Sequence, residues 1–218
     1  MKPKPAMVRL LWTLTILLSL IGVAIVIRRL LFYASPRSGS PAPLDANFRQ
    51  HPRLTMVHIV PGLLFIVLGP FQFIRRLRTR RPALHRWMGR VFIVSGLVVG
   101  TTALVMGPQM AIGGVNETVA TTFFATLFLF SLVRAFLYTR QGNVELYREW
   151  MIRAYAIGLA VATIRPIMGV FFATQRLTHL TPHDFFGTAF WLGFTAQLIA
   201  AEAWINYTRP YSRNLQNP

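Results

Sequence analysis

Few side chains in this sequence could do chemistry, and three of them stand out by type and position: His58, His85 and Arg165. Imidazole ligates haem iron and divalent metals, so the two histidines are candidate cofactor ligands. Arg165 lies near the centre of a long apolar run, where a guanidinium could hold an anion, a quinone oxygen or a haem propionate. We therefore predict these three residues as cofactor-binding positions, with haem b as a candidate cofactor and the metal left open.

A second polar set consists of Arg134, Arg153 and Glu202, which lie within or at the edge of apolar runs. In a membrane each of these charges is costly unless it is paired or hydrated. Glu202 could pair with Arg153 or with Arg134 if the three lie at one depth. We interpret the set as a structural ion pair that holds three helices together, and a functional role is the alternative.

The elements that must position these side chains are long uncharged runs. Apolar residues make up 54% of the 218 residues and charged ones only 13%, with a mean hydropathy of +0.47. Each run is near the ~20 residues that cross the hydrocarbon core of a bilayer. A chain in lipid satisfies its backbone polar groups within such runs only as helices. The composition thus predicts an all-α, polytopic membrane bundle of about six transmembrane helices.

The runs divide the chain into an N-terminal segment, residues 1–9, a first transmembrane helix, 10–31, a polar loop, 32–53, a five-helix core, 54–207, and a tail, 208–218. The first run is too long for a signal peptide and ends in two arginines, which favours a retained span. Small residues at four-residue spacing, among them Gly96 and Gly100 or Ala154 and Gly158, predict close contacts between helices.

Basic residues predict the orientation. Seven arginines lie between the second and third spans, at positions 75, 76, 78, 80, 81, 86 and 90, whereas the next loop has none before Glu117. Cytoplasmic loops carry the excess of basic residues, so we place this arginine loop and both termini in the cytoplasm, where anionic lipids are candidate partners. The first loop is an exception, because its arginines then lie outside.

The histidines do not form a recognisable metal motif. His58 and His51, with His179 and His183 beside Asp184, fall on the outer side and could form an outward-facing cofactor site, although Pro182 argues against a helix there. His85 lies on the opposite side, so a haem held by both His58 and His85 would have to bridge nearly the whole membrane. The alternative is that these histidines cap helices or face lipid headgroups.

Several classes of function are excluded. The chain has no cysteine, which rules out disulfides, thiolate chemistry and Cys-ligated clusters. It has no HExxH, GxSxG, Walker A or dinucleotide-binding pattern, and an enzyme is not expected. The net charge of +17 would suggest nucleic acid as the partner of a soluble protein. Here the basic residues flank apolar runs, so we predict a lipid bilayer and no nucleic acid.

The phrases HIVPGLLFIVLGPFQF, LHRWMGRVFIVSGL and WMIRAYAIGLAVATIRP resemble a bacterial family of predicted membrane proteins, the family of domains of unknown function numbered DUF2306. The resemblance covers about residues 50–205 and implies a cytoplasmic-membrane protein. It implies that His58, His85, Arg153, Arg165 and Glu202 are typical positions. The family usually has histidine where this chain has Tyr147, so an inner metal or haem site would lack that partner for His85.

Three functions are consistent with these observations. The first is a non-catalytic membrane component or accessory subunit, which the scarcity of paired protonatable groups favours. The second is a haem- or quinone-binding redox protein, with Arg165 near the anionic groups of the cofactor. The third is a small-solute transporter, with proline-broken second and fifth spans lining the path; the absence of evident internal symmetry counts against it.

Overall fold

The computed structural model describes residues 4–34 and 46–209, and within these residues the chain forms eight α-helices and no strand. In chain order the helices are α1 (Pro5–Ala34), α2 (Ala46–Gln50), α3 (Pro52–Gln72), α4 (Arg75–Arg80), α5 (Pro82–Met110), α6 (Gly114–Arg140), α7 (Val144–Thr178) and α8 (Pro182–Thr208).

Five of these helices, α1, α3, α5, α6 and α7, are long and apolar enough to cross a membrane. The helix α8 is as long as α6, at 27 residues, and packs along α6 and α7. The two short helices α2 and α4 lie in connections. The structure confirms the predicted all-α membrane bundle of about six spans.

The helices extend beyond the apolar runs. α7 has 35 residues and reaches well past its apolar run at both ends, and α5 continues through Pro108 to Met110. Polar residues can continue a helix once its backbone has left the lipid. The segment predicted as a polar loop, 32–53, contains the end of α1, all of α2 and the start of α3. Its residues 35–45, like the outermost parts of both termini, lie outside the described residues.

We name the two ends of the bundle by their connections. The arginine end carries α4 and the start of α5, and the glycine end carries the α5–α6 connection, residues 111–113. Val8, Arg78 and Trp204 line one cavity, which places the start of α1 and the end of α8 at the arginine end. At the glycine end, Asn47 Nδ2 donates a hydrogen bond to the carbonyl of Met110 at 3.2 Å, so α2 packs there.

Phe65 lies where α3, α5 and α7 meet. Its side chain is 1% exposed, and its ring stacks on Phe92 with centroids 4.2 Å apart. A Cβ added at Gly158 would lie 2.4 Å from Phe65 Cε1, and one added at Gly96 would lie 3.1 Å from Cε2. The absent side chains make room for the ring. The close contacts predicted at these two glycines are confirmed.

Candidate functional site

His58 is held by a neighbouring helix. Its Nδ1 lies 2.8 Å from Thr102 Oγ1, and that hydroxyl also lies 2.7 Å from the carbonyl of Val98. A threonine hydroxyl has one hydrogen, and the carbonyl can only accept it, so the hydroxyl accepts from His58 Nδ1–H. The neutral ring then keeps its Nε2 lone pair as the atom that could ligate a cofactor.

His85 lies at the arginine end, and its Nδ1 is buried without a hydrogen-bond partner. Thr102, the partner of His58, is on the same helix, α5, seventeen residues further along. At the α-helical rise this separates His58 from His85 by about 25 Å along the bundle. The structure therefore does not bring the two histidines together at one cofactor.

Two of the outer histidines lie at the connection between α7 and α8. His179 ends α7 in the left-handed conformation with φ 57°, and the His183 ring packs against Gly114. Asp184 caps α8, because its Oδ2 accepts hydrogen bonds from Thr181 N at 2.8 Å and from Thr181 Oγ1 at 2.6 Å. Among residues 4–34 and 46–209, no three His, Asp or Glu side chains are grouped to hold a metal ion.

The second polar set includes a network of ion pairs at the arginine end. Arg153 donates two hydrogen bonds to Glu202, from Nε to Oε1 at 2.5 Å and from Nη2 to Oε2 at 2.9 Å. Arg209 binds Glu149 in the same two-bond manner, at 2.9 and 2.8 Å. Arg153 Nη1 lies 3.9 Å from the Glu149 carboxylate and joins the pairs. This network connects α7 to the end of α8.

Arg134 takes a different partner. Its guanidinium donates to the hydroxyl of Tyr138, and its Cζ lies 4.8 Å from the centroid of that ring. It also lies 5.6 Å from the ring of Trp150, which Arg153 approaches at 4.7 Å. The aromatic rings stabilise the cation by their negative faces. Of the two predicted partners for Glu202, the structure selects Arg153.

Arg165 lies on the surface of the bundle in the apolar part of α7. Its side chain is exposed, and Nη1 contacts the sulfur of Met168 at 3.8 Å. The guanidinium is repelled by Arg29 and Arg28 and, more weakly, attracted by the carboxylate of Glu117. That carboxylate is buried, and its Oε2 accepts hydrogen bonds from the backbone N–H groups of Ile112 and Gly113 at 2.8 and 2.7 Å. Arg165 thus supplies an opposite charge near a buried helix-capping carboxylate.

A cavity of about 320 Å³ opens between α1, α3, α7 and α8 at the arginine end. Most of its wall is apolar or aromatic, and this part of the lining includes Leu11, Trp12, Phe73, Met151, Leu159 and Trp204. Within residues 4–34 and 46–209, its polar lining is Thr15, Gln72, Arg78, Tyr147, Arg148, Tyr155 and Gln197, with no carboxylate. An apolar wall with a few placed polar groups is the usual make-up of a small-molecule site.

Gln72 is the unusual member of this lining. It ends α3, is 7% exposed, and neither its Oε1 nor its Nε2 has a hydrogen-bond partner. On its other side it lies against Gly89, where an added Cβ would be 3.2 Å from Oε1. A buried polar group without a partner costs about 1–3 kcal/mol. Both atoms are shielded from solvent, so a molecule in the cavity could pair with the carboxamide once the side chain turns toward it.

The positive charge of the cavity comes from Arg78 and Arg148, which both line it. Arg148 interacts electrostatically with Glu149 and, more weakly, with Arg78. Both terminal nitrogens of Arg148 lie 3.2 Å from Thr208 Oγ1, a neutral acceptor. Arg78 also interacts electrostatically with His85 and with Tyr147. The polar lining of the cavity therefore combines two cations with amide and phenol donors.

Sequence reasoning missed Gln72, Glu149 and Arg209. The pairing of Glu149 with Arg153 was readable, because residues four apart share one face of a helix. No sequence signal marked Gln72, since a glutamine at the end of an apolar run usually faces the headgroups. Its burial follows from the packing of α3 against α5.

Comparisons with known proteins give one finding. A family model described as a predicted membrane protein, DUF2306, matches residues 55–205. The match contains the polar lining from Gln72 to Gln197, whereas the cavity wall that α1 provides precedes it. No curated protein and no solved structure matches the chain. Since the match covers more than half of the sequence, this chain belongs to the DUF2306 family of predicted membrane proteins.

Proposed function

We propose that this protein is a non-catalytic component of a bacterial cytoplasmic membrane that binds a small amphipathic molecule in the cavity at its arginine end. One observation carries the proposal: the Gln72 side chain is buried in the cavity wall with both of its polar atoms unpartnered. The surrounding wall is largely apolar, and the volume of about 320 Å³ is within the range of small-molecule sites.

The experiment compares the wild type with a variant whose cavity is filled. Ala200 lines the cavity and is exposed, so Ala200→Phe adds a ring there without entering the core. Ala196, one turn earlier on α8, is exposed and outside the cavity lining, and Ala196→Phe is the matched control. We expect mass spectrometry of the purified protein to find a small molecule that is at least tenfold depleted in Ala200→Phe alone. Equal amounts in all three proteins would contradict the proposal.

We propose that the arginine end faces the cytoplasm, with both termini on that side. The arginines of α4 support this, because cytoplasmic loops are rich in basic residues and the inner leaflet is rich in anionic lipids.

Two arginines near the first connection, between α1 and α3, contact aromatic rings within the fold. Arg29 lies 3.8 Å from the ring centroid of Phe48, and Arg49 lies 4.9 Å from that of Phe32. Reporter fusions within residues 35–45 test the orientation, and a cytoplasmic signal would reverse it.

A redox role is the second candidate, because the Gln72 amide and Tyr147 phenol could donate hydrogen bonds to a quinone carbonyl in the cavity. For a haem, the candidate ligand of the iron is His58 Nε2. A reduced-minus-oxidised visible spectrum and metal analysis of the purified protein test the haem. Sharp α and Soret bands at near-stoichiometric amounts would make the protein a b-type cytochrome, whereas a colourless, metal-free preparation from haem-replete cells would exclude the haem.

Transport has less support, because that function was predicted from proline-broken spans. The helices α3 and α7 instead continue through Pro61 and Pro166.

A further inference from the structure

We propose that the molecule in this cavity carries an anionic head, a phosphate or a carboxylate, and that Arg78 and Arg148 hold it. The inference rests on the proposed function, because it assigns the chemical class of the same ligand. It also assigns the direction of binding: the head lies at the arginine end beside α4, and the apolar body lies between α1, α7 and α8.

The first argument is charge. Arg78 and Arg148 carry like charges on the wall of one cavity, and among the described residues that line it there is no carboxylate. Glu149, next to Arg148 in sequence, attracts Arg148 more strongly than Arg78 repels it, but both of its oxygens accept hydrogen bonds from Arg209, at 2.9 and 2.8 Å. Arg148 donates from both terminal nitrogens to the hydroxyl of Thr208, a neutral acceptor, at 3.2 Å. An anionic head would relieve the repulsion, and guanidinium groups bind carboxylate and phosphate oxygens in pairs.

The second argument is hydrogen bonding. Gln72 Nε2 is a buried donor without a partner, and the Tyr147 hydroxyl lines the same cavity. Together with the two arginines they supply donors from α3, α4 and α7 to the lining of one cavity. A phosphate or carboxylate accepts several such bonds at once, whereas a neutral alcohol accepts at most two.

The third argument is shape. The aromatic residues Trp12 and Trp204 line the cavity from α1 and α8, and tryptophan favours the membrane–water interface. From Tyr147 to Leu159 the lining follows α7 for about 18 Å, which reaches from the interface into the hydrocarbon. The volume is at the low end of small-molecule sites. These dimensions favour an amphiphile with a single chain.

The test uses the full-length protein in nanodiscs of zwitterionic lipid and three probes with one chain length: dodecyl phosphate, dodecanoate and dodecanol. Equilibrium binding of each probe is measured with inorganic phosphate as a fourth, chain-free probe. We expect the two anionic probes to bind at least tenfold more tightly than dodecanol, and phosphate alone to bind far more weakly than dodecyl phosphate. The ratio of dodecyl phosphate to dodecanoate affinity distinguishes the two head chemistries. Inorganic phosphate binding as tightly as dodecyl phosphate would overturn the assignment of an amphiphile.

Arg78→Gln is the main variant, because the side chain is exposed and its loss should leave the fold intact. Arg76→Gln, on the same helix and outside the cavity lining, is the control for general attraction to the basic surface. We expect at least a tenfold loss of anionic-probe binding in Arg78→Gln, little change in Arg76→Gln and no change in dodecanol binding.

The outcomes separate the two proposals. Dodecanol binding as tightly as the anions, with no effect of Arg78→Gln but loss in Ala200→Phe, would overturn the anionic head and keep the cavity as a binding site. Equal losses in Arg78→Gln and Arg76→Gln would also overturn it, since the attraction would then belong to the surface. If no probe binds and no small molecule depends on Ala200, the proposed function itself fails.

Discussion

The ring of Tyr155 lies directly on the backbone of Gly69, so closely that a Cβ added at Gly69 would be 1.9 Å from Tyr155 Cε2. The hydroxyl of the same tyrosine shares a hydrogen bond with Ser19 Oγ at 3.0 Å. One side chain of α7 thus contacts both α1 and α3. Tyr155 also lines the cavity, so this contact positions part of the cavity wall.

Replacing Gly69 by alanine should prevent this packing. The added methyl group would overlap the buried ring of Tyr155. We therefore expect Gly69→Ala to destabilise the bundle by about 1–3 kcal/mol or more. Gly62→Ala on the same helix is the control, since its Cβ would meet nothing closer than Val99 Cγ2 at 3.8 Å. Fluorescence-detected size exclusion and thermal unfolding in detergent measure the difference. Equal stability of the two variants would refute the contact.

The two glutamates of the ion-pair network should differ in their contribution to stability. The Glu149 side chain is 6% exposed and that of Glu202 is 39% exposed. Removing one partner of a buried pair costs more than removing one at the surface, because the remaining groups cannot rehydrate freely. We expect Glu149→Gln to cost about 1–3 kcal/mol and Glu202→Gln about 0–1 kcal/mol. Thermal unfolding of both variants checks this order, and the reverse order would contradict it.

Arg165 should affect the folding yield through its interaction with Glu117. Arg165→Ala removes the repulsion from Arg28 and Arg29 and also the opposite charge near a buried carboxylate. Because the exposed Arg28 can rehydrate and the buried Glu117 cannot, we expect a lower folding yield than for Arg176→Ala, an exposed arginine in the last turn of the same helix. Adding Glu117→Gln to Arg165→Ala removes the uncompensated charge and should restore part of the yield. A wild-type yield and phenotype for Arg165→Ala would show that the residue has neither a structural nor a functional role.

Gly89 should affect ligand binding more than stability. A methyl group there would lie 3.2 Å from Gln72 Oε1, so the carboxamide must shift by a few tenths of an ångström. We expect Gly89→Ala to weaken binding of dodecyl phosphate several-fold while the thermal unfolding temperature stays near that of the wild type. Gly169→Ala, whose Cβ would meet nothing within 4 Å, is the control. Unchanged binding in Gly89→Ala would remove Gln72 from the site.

Much of the fold follows from the sequence. The apolar runs predict the helices, because a backbone in lipid has to satisfy its hydrogen bonds within each run. The pairing of Arg153 with Glu202 was one of two predicted alternatives, since a charge in a membrane requires a partner. The ends of the helices were predicted less accurately, since the segment 32–53, predicted as a polar loop, contains all of α2 and the start of α3.

The cavity was decided by the tertiary structure alone. Its polar lining includes Gln72 from α3, Arg78 from α4, Arg148 from α7 and Gln197 from α8, which are far apart in the chain. The apolar periodicity of a helix determines its local conformation and shows which residues tolerate lipid. It does not specify which neighbouring helix covers a given side chain. The burial of Gln72 depends on how closely α3 approaches α5 at Gly89, and only the packing of the whole bundle sets that distance.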